Sequence, residues 1–256
     1  MTCPKCGYVR QAADQTAANE CPQCGVIYAK YVQYLADREP RQQQAAVAEE
    51  RAAPGWLNGF RGMLLHRPDN VATLLPIYGL LYIAFLAWGV RLIAYDPIDG
   101  EIGSSFLHQI NLPFHEFGHV LFRPFGEWMM FLGGSLFQCL WPLILCGVFL
   151  LRERQPFSAS LCLWWAGENL LDVAPYIGDA RAMDLPLIGE MSEEDAETRF
   201  MRHDWHNILQ EIGKLEWDHR LAHLAHFLGA AVMVVAWVWG GLWLWRCYRI
   251  KELPPA

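Results

Sequence analysis

Residues 128–151 read WMMFLGGSLFQCLWPLILCGVFLL and contain no Asp, Glu, Lys or Arg. At about 1.5 Å per helical residue, this stretch is long enough to cross the roughly 30 Å hydrocarbon core of a bilayer. Three further stretches are similarly long and apolar: Val71–Ala94, Phe157–Gly178 and Leu221–Trp245. Because 54% of the chain is hydrophobic and its mean hydropathy is +0.12, we predict an all-α polytopic membrane protein with about four full transmembrane helices.

The basic residues predict how the chain is threaded through the membrane, since Lys and Arg concentrate in cytoplasmic loops. They cluster after the second and fourth stretches, as Arg152 with Arg154 and as Arg246 with Arg249 and Lys251. Both clusters lie inside if residues 104–122 enter the membrane and return on the same side. We therefore expect a re-entrant or half-helix element there, interrupted around Pro113 and Pro124. The expected location is the bacterial inner membrane, with cytoplasmic N- and C-termini.

His115-Glu116-Phe117-Gly118-His119 lies in this short element and matches the HExxH pattern. On a helix, histidines four residues apart share one face, so both rings can bind one Zn²⁺. The carboxylate of Glu116 can then reach a water molecule on the metal. The motif predicts the core of a zinc hydrolase site. The alternative is that both histidines simply pack in a polar bundle interior.

A catalytic zinc needs a third protein ligand besides two histidines. The third apolar stretch carries polar residues that a lipid-facing helix would lack, so we expect it to face the HExxH element. Asp179 is the expected third ligand. The alternatives are Asp172, Glu168 and His203. Asp172 could instead accept a hydrogen bond from a ligand histidine. Substrate or supporting contacts are expected from Asn169, Asp172, His203 and His206.

Two CxxC pairs near the N-terminus predict a zinc ribbon over residues 1–35. Cys3-Pro4-Lys5-Cys6 and Cys21-Pro22-Gln23-Cys24 are separated by fourteen residues, and each is followed by Gly. Four thiolates at this spacing can close a tetrahedral structural zinc site. Two disulfides are the alternative, but the opening MTCPKCGYVR lacks the apolar segment of a secretory signal, so we expect a reducing compartment. A ribbon of this size is typically a docking module for a partner, here of unknown identity.

The remaining domain boundaries follow from composition. Residues 36–70 are expected to be a polar linker and juxtamembrane segment, and residues 71–256 a transmembrane metallopeptidase-like domain. The formal net charge of −7 is uneven, since residues 179–220 hold eleven acidic residues against five basic ones. No basic surface for nucleic acid is evident, so none is expected as a partner.

Residues 110–182 resemble the site-2 protease family of intramembrane zinc metalloproteases. HEFGH is similar to the HExGH form common in that family, whose third ligand is an Asp on a later transmembrane helix, with an upstream Asn and Pro and a following Gly. Asn169, Pro175 and Asp179-Ala180 look like a variant of that pattern, with a longer spacing and Ala180 for the usual Gly. The resemblance implies a zinc metalloendopeptidase that cleaves membrane or membrane-adjacent proteins within the lipid bilayer. Zinc would polarise the scissile carbonyl, and Glu116 would activate a zinc-bound water.

Two other functions fit parts of the sequence. Glu116 with His119, and Glu216 with His219, form two ExxH pairs, which together with further Glu residues are the ligands of di-iron carboxylate bundles. That ligand set would make the chain a membrane oxidase or hydroxylase, but only Glu168 is well placed as a further ligand. The third hypothesis is a non-catalytic zinc-binding membrane scaffold whose ribbon recruits a partner.

Overall fold

The computed structural model describes residues 1–35, 55–68, 71–185 and 202–251, which belong to two compact units, Met1–Arg61 and Gly62–Ala256. The polar start of the expected linker, residues 36–54, lies outside the described residues. So do the acidic residues of segment 186–201. Both of those expectations stay predictions.

The first unit is built on two turns that repeat one backbone pattern. In each turn, the N–H of the glycine after a CxxC pair donates to the carbonyl oxygen of the first cysteine. The distance is 3.0 Å from Gly7 to Cys3 and 2.9 Å from Gly25 to Cys21. Both glycines have a positive φ, +75° and +68°, which residues with a Cβ rarely adopt. The two CxxC pairs therefore form equivalent knuckles, which a helix over residues 28–35 follows.

The regular elements described within residues 55–251 are all helices, as the sequence predicts. In chain order the further α-helices are α1 (Gly55–Leu64), α2 (Val71–Ile93), α3 (Phe106–Phe122), α4 (Glu127–Gly147), α5 (Pro156–Gly178), α6 (Asp204–Glu211) and α7 (Asp218–Lys251). Short 3-10 turns occupy Glu101–Ser104, Arg123–Phe125 and Leu215–Trp217, and a π-helical turn at Val148–Arg152 continues α4.

Three helical segments in the described part of the chain are long and apolar enough to cross a membrane: Thr73–Ile93, Glu127–Arg152 and Leu215–Arg249. They correspond to the first, second and fourth stretches expected from the sequence, which is consistent with a polytopic membrane protein. The third stretch forms α5, which has 23 residues and is mostly buried against other helices. It is long enough to cross a membrane but is less apolar than the other three segments. The described residues therefore show three candidate spans, not four.

The HExxH residues lie in α3, one continuous helix of 17 residues. The hydroxyl of Ser105 caps its N-terminus by accepting from the N–H of His108 at 3.2 Å. Pro113 lies inside α3, so the expected interruption at that residue does not occur. The helix does end at Phe122, directly before Arg123-Pro124. At about 1.5 Å per residue, α3 is roughly 25 Å long and shorter than the hydrocarbon core.

Helix α5 lies at the centre of the second unit and packs against α4 and α7. Trp164 of α5 belongs to a buried cluster with Leu92 of α2 and Met233 of α7. Glycines allow the closest approach, because a Cβ at Gly167 would lie only 2.7 Å from the carbonyl oxygen of Gly229. The backbones of α5 and α7 therefore touch at this point, as small residues permit in membrane helices.

Replacing Gly167 with Ala is expected to destabilise the second unit, because the added methyl would collide with the backbone of α7. Overpacking of this kind typically costs about 1–3 kcal/mol, so the thermal unfolding midpoint of the detergent-solubilised protein should fall. Gly79→Ala on α2 is the matched control, since a Cβ there meets no atom within 4 Å. Equal midpoints for the two variants would contradict this helix contact.

Candidate metal centre

The four ribbon cysteines converge on one point. The Sγ atoms of Cys3 and Cys24 lie 3.8 Å apart, and those of Cys6 and Cys21 lie 3.7 Å apart. Zinc–sulfur bonds of about 2.3 Å at tetrahedral angles separate neighbouring sulfurs by roughly 3.8 Å. All four are free cysteines, which disfavours the disulfide alternative. The cluster could therefore hold a metal ion, as the CxxC pairs predict.

Backbone N–H groups favour the thiolate at Cys21. At Cys6 the backbone N–H of Tyr8 acts to lower the pKa, but burial and hydrogen bonds with the other three cysteines outweigh it and raise the pKa to about 12. The N–H of Lys5 donates to Sγ of Cys3 at 3.4 Å. Burial acts to raise the pKa of Cys21, but the backbone N–H groups of Cys24 and Gln23 outweigh it, and the pKa falls to about 6. Because the thiolate is the form that binds metal, the knuckle is prepared for a cation.

A second cluster of candidate ligands consists of His115, His119 and Asp204. Both histidines lie on one face of α3, as their spacing predicts, with ring centroids 4.8 Å apart. Nε2 of His115 lies 3.1 Å from Oδ2 of Asp204, and Nε2 of His119 lies 3.3 Å from the same oxygen. Three atoms that could bind a metal therefore face one another, and Asp204 supplies its oxygen from the first residue of α6.

An acceptor on α4 holds the opposite nitrogen of each ring. Nδ1 of His115 lies 3.0 Å from Oε1 of Gln138, and Nδ1 of His119 lies 2.8 Å from the backbone oxygen of Met130. These bonds need a hydrogen on Nδ1, so a neutral imidazole keeps its lone pair on Nε2. Histidines that bind metals typically donate their other N–H to a carbonyl or carboxylate in this way.

Both Nε2 atoms and one carboxylate oxygen thus face a common position, where a cation would take the place of the protons that otherwise join the rings to Asp204. Metal bonds of about 2.0–2.1 Å at tetrahedral angles separate neighbouring donor atoms by roughly 3.3 Å. The distances to Asp204, 3.1 Å and 3.3 Å, agree with that spacing. The cluster could therefore hold a metal ion, and its donors fit a zinc site with two histidines and one carboxylate.

Contacts with α5 hold Asp204 in this position. The hydroxyl of Tyr176 donates to Oδ2 of Asp204 at 3.2 Å and accepts from the backbone N–H of Asp204 at 3.0 Å. Nδ1 of His203 accepts from the N–H of His206 and so caps α6. Its Nε2–H is left to donate to Asp179, 3.3 Å away. The C-terminal end of α5 therefore fixes the segment that carries the third candidate ligand.

The structure brings Asp204, and not the expected Asp179, to the histidine pair. The carboxylate of Asp179 is committed elsewhere, because it accepts from His203 and from the backbone N–H groups of Asp184 at 2.8 Å and Leu185 at 3.0 Å. Asp179 therefore holds His203, the residue before Asp204, and does not face the histidine pair. The sequence signal for Asp204 was the HDWH segment at residues 203–206, from which only the histidines were expected to contribute.

The pKa values of these two acids follow from the same contacts. Burial acts to raise the pKa of Asp204, but hydrogen bonding and positive charge at His115 and His119 outweigh it, and the pKa lies below its ordinary value. Burial also acts to raise the pKa of Asp179, and bonds from His203 and two backbone N–H groups lower it further than burial raises it. Both side chains are therefore carboxylates at neutral pH.

Asp172 and Glu168, the alternative ligands on α5, lie away from the Nε2 atoms of the histidines. Asp172 accepts from Nε2 of Gln138 at 2.8 Å, so it reaches His115 only through that amide. Glu168 is fully buried and accepts from Asn111 at 3.1 Å. Neither belongs to the ligand cluster.

The remaining expected residues make other contacts. Asn169 donates to the backbone oxygen of Trp165 at 2.9 Å, and Nδ1 of His206 lies 2.7 Å from the backbone oxygen of Ala180. Both contacts support the local backbone.

Glu216 and His219, the second ExxH pair of the di-iron alternative, are exposed. Within the described ranges, neither joins a cluster of three or more candidate ligands. The placement of this pair therefore gives no support to the di-iron set.

A cavity of about 530 Å³ opens onto the histidine cluster. Its walls include His115, His119 and Asp204, together with Glu116 and Tyr176. Candidate metal ligands, a carboxylate that could exchange a proton, and room for a substrate therefore share one cavity.

Comparisons with models of protein families, with curated proteins and with solved structures found no match. Because a fold alone does not specify chemistry, the function depends on the sites themselves. Those sites are the four-cysteine cluster and the histidine cluster.

Gly134 of α4 leaves room for the metal, since a Cβ there would lie 2.6 Å from Nε2 of both His115 and His119. Neither ring can move away without losing its Nδ1 hydrogen bond. Gly134→Ala is therefore expected to abolish metal binding at the histidine cluster and to leave the four-cysteine cluster loaded. Elemental analysis of metal per chain measures this.

Gly147→Ala is the control on the same helix, because a Cβ at that position meets no atom within 4 Å. It should retain the metal content of the unmodified protein. Full metal loading of Gly134→Ala would contradict the assigned position of the ion.

Proposed function

We propose that the chain is a membrane-embedded zinc metalloendopeptidase that hydrolyses peptide bonds of membrane or membrane-adjacent proteins. One observation carries the proposal: two imidazole nitrogens and one carboxylate oxygen converge in a cavity that also contains Glu116. Two histidines with a carboxylate and an open position are ligands of catalytic zinc in known peptidases. The Glu of an HExxH motif beside such a site acts as the general base.

Zinc bound at this cluster would supply a Lewis acid that polarises a carbonyl and lowers the pKa of water. His115, His119 and Asp204 would hold the ion. Glu116, next to His115 on α3, would accept a proton during attack on the peptide carbonyl and pass it to the leaving amine. Tyr176 would keep the carboxylate of Asp204 in its ligand position through the two hydrogen bonds between them.

The glycine of the HExGH form, Gly118 in this chain, has a physical reason in the packing of α3. Gly118 faces α4 at close range, and a Cβ there would collide with the backbone of Gly133. We assign the third ligand to Asp204, where the resemblance implied Asp179. The family relationship remains part of this proposal.

We assign α5 as a fourth crossing that other helices enclose, because its polar residues are buried instead of facing lipid. In this topology α3 enters the bilayer without crossing it, and both termini are cytoplasmic at a bacterial inner membrane. Phe117, Val120 and Leu121 are exposed on α3 and would contact lipid.

We propose that the four-cysteine cluster holds a second, structural zinc. The described core of the ribbon is small and consists of Cys3, Cys21 and Tyr28 with partly buried neighbours. So small a core needs a metal for stability. The ribbon would serve as a docking module for a protein partner.

Glu116→Gln tests the hydrolytic role, because the amide keeps the shape of the side chain but cannot accept the proton. Purified wild type and variant are incubated with a library of quenched fluorescent peptides, and mass spectrometry identifies the new termini. The variant should keep its zinc and lose hydrolysis by about 10²–10⁴-fold.

Glu127→Gln, an exposed glutamate in the first turn of α4, is the control and should cleave at the wild-type rate. Equal rates for Glu116→Gln and wild type would contradict the proposal. Iron in place of zinc would favour the di-iron oxidase. A zinc-loaded wild type that cleaves nothing would favour the scaffold.

A further inference from the structure

A chain of hydrogen bonds runs from Trp165 of α5 to Nδ1 of His115. The direction of donation along the chain is fixed at Trp165. Nε1 of Trp165 lies 2.9 Å from Oδ1 of Asn111. An indole N–H can only donate, so this contact turns the oxygen of the Asn111 amide towards Trp165 and the nitrogen away from it. The rings of Trp165 and Phe114 form an edge-to-face pair with centroids 5.9 Å apart, which holds the indole in place.

The amide nitrogen of Asn111 then donates to two acids on α5. It lies 3.0 Å from Oδ2 of Asp172 and 3.1 Å from Oε2 of Glu168. Nδ1 of His108 lies 2.8 Å from the other oxygen of Asp172. Because both oxygens of Asp172 face donors, this side chain is the acceptor at the centre of the network.

Asp172 in turn orients Gln138. Nε2 of Gln138 donates to Oδ2 of Asp172 at 2.8 Å, so the amide oxygen of Gln138 faces Nδ1 of His115 at 3.0 Å. If the amide were reversed, two acceptors would meet at Asp172, and Nδ1 of His115 would have to accept, which would move the ring hydrogen to Nε2. The polarity set by Trp165 is therefore transmitted to the metal-facing ring.

We propose that Gln138 is a positioning residue that sets the tautomer and ring orientation of His115, and that Asp172 and Trp165 act through it. The hydrogen stays on Nδ1, so the Nε2 lone pair is presented to the metal without a competing tautomer. Asp172 polarises the Gln138 amide and makes its oxygen a stronger acceptor, which holds the Nδ1 hydrogen and the ring plane of His115 in place. This inference rests on the proposed metal binding at the histidine cluster.

The test measures zinc affinity of the full-length protein in detergent by competition with a chelator. Gln138→Leu removes both hydrogen bonds at similar size and should weaken zinc at the histidine cluster by about 10–100-fold. Gln138→Glu should retain most of the affinity, because a carboxyl that shares a proton with Asp172 can still accept from His115. Zinc at the four-cysteine cluster should be unchanged in both variants.

Leu143→Ala is the matched control, since Leu143 lies on the same helix and is 44% exposed. It should bind zinc like the wild type. A Gln138→Leu variant with the affinity of Leu143→Ala would overturn the proposal. So would equal losses in Gln138→Leu and Gln138→Glu, because shape rather than polarity would then matter.

Trp165→Phe keeps an aromatic ring but removes the donor that begins the chain, and it decides the matter if Gln138→Leu fails to fold. Its zinc affinity at the histidine cluster should fall in the same direction by a smaller factor, and the absorption of Co²⁺ bound there should shift. An unchanged affinity and spectrum would overturn the proposal. A wild type that binds zinc only at its cysteines would instead refute the proposed function.

Discussion

Polar groups buried inside an apolar helical unit must find their partners within the protein, because each unpaired group costs about 1–3 kcal/mol. Helix α5 carries such groups along one side. Asp172 is paired with Asn111 of α3 and Gln138 of α4. Tyr176 bonds to Asp204 at the start of α6, and Asp179, directly after α5, bonds to His203. These hydrogen bonds join α5 to the elements that meet at the histidine cluster, although Oε1 of Glu168 and Oδ1 of Asn169 have no hydrogen-bond partner in the described part of the chain.

This arrangement orients the two histidine rings of the HExxH motif. His115 and His119 would share a helix face in any protein with this spacing, but here their Nδ1 atoms are both occupied by acceptors on α4. That leaves the Nε2 atoms to face Asp204. Gly134 keeps the space beside them open. Small residues and hydrogen-bond acceptors on a neighbouring helix thus convert a common spacing into a metal geometry.

Local patterns predicted much of this protein, since the CxxC spacing, the apolar stretches and the shared face of HExxH depend only on nearby residues. The third candidate ligand was not predicted, since Asp179 was expected and Asp204 lies beside the histidines. Asp179 has the expected position at the end of α5, but tertiary contacts with His203 and two backbone N–H groups use its oxygens. Asp204 is distant in sequence and one acid among many in its segment. Likewise, Pro113 fits within α3, where a break was expected from proline alone.

The number of zinc ions per chain, measured by elemental analysis, shows whether the histidine cluster binds a metal. The protein is compared with Cys3→Ala, His115→Ala and Asp204→Ala. We expect two zinc ions in the wild type and one in each variant, with the cysteine variant losing a different ion from the other two. Two ions in both His115→Ala and Asp204→Ala would contradict the assignment of the histidine cluster as a metal centre.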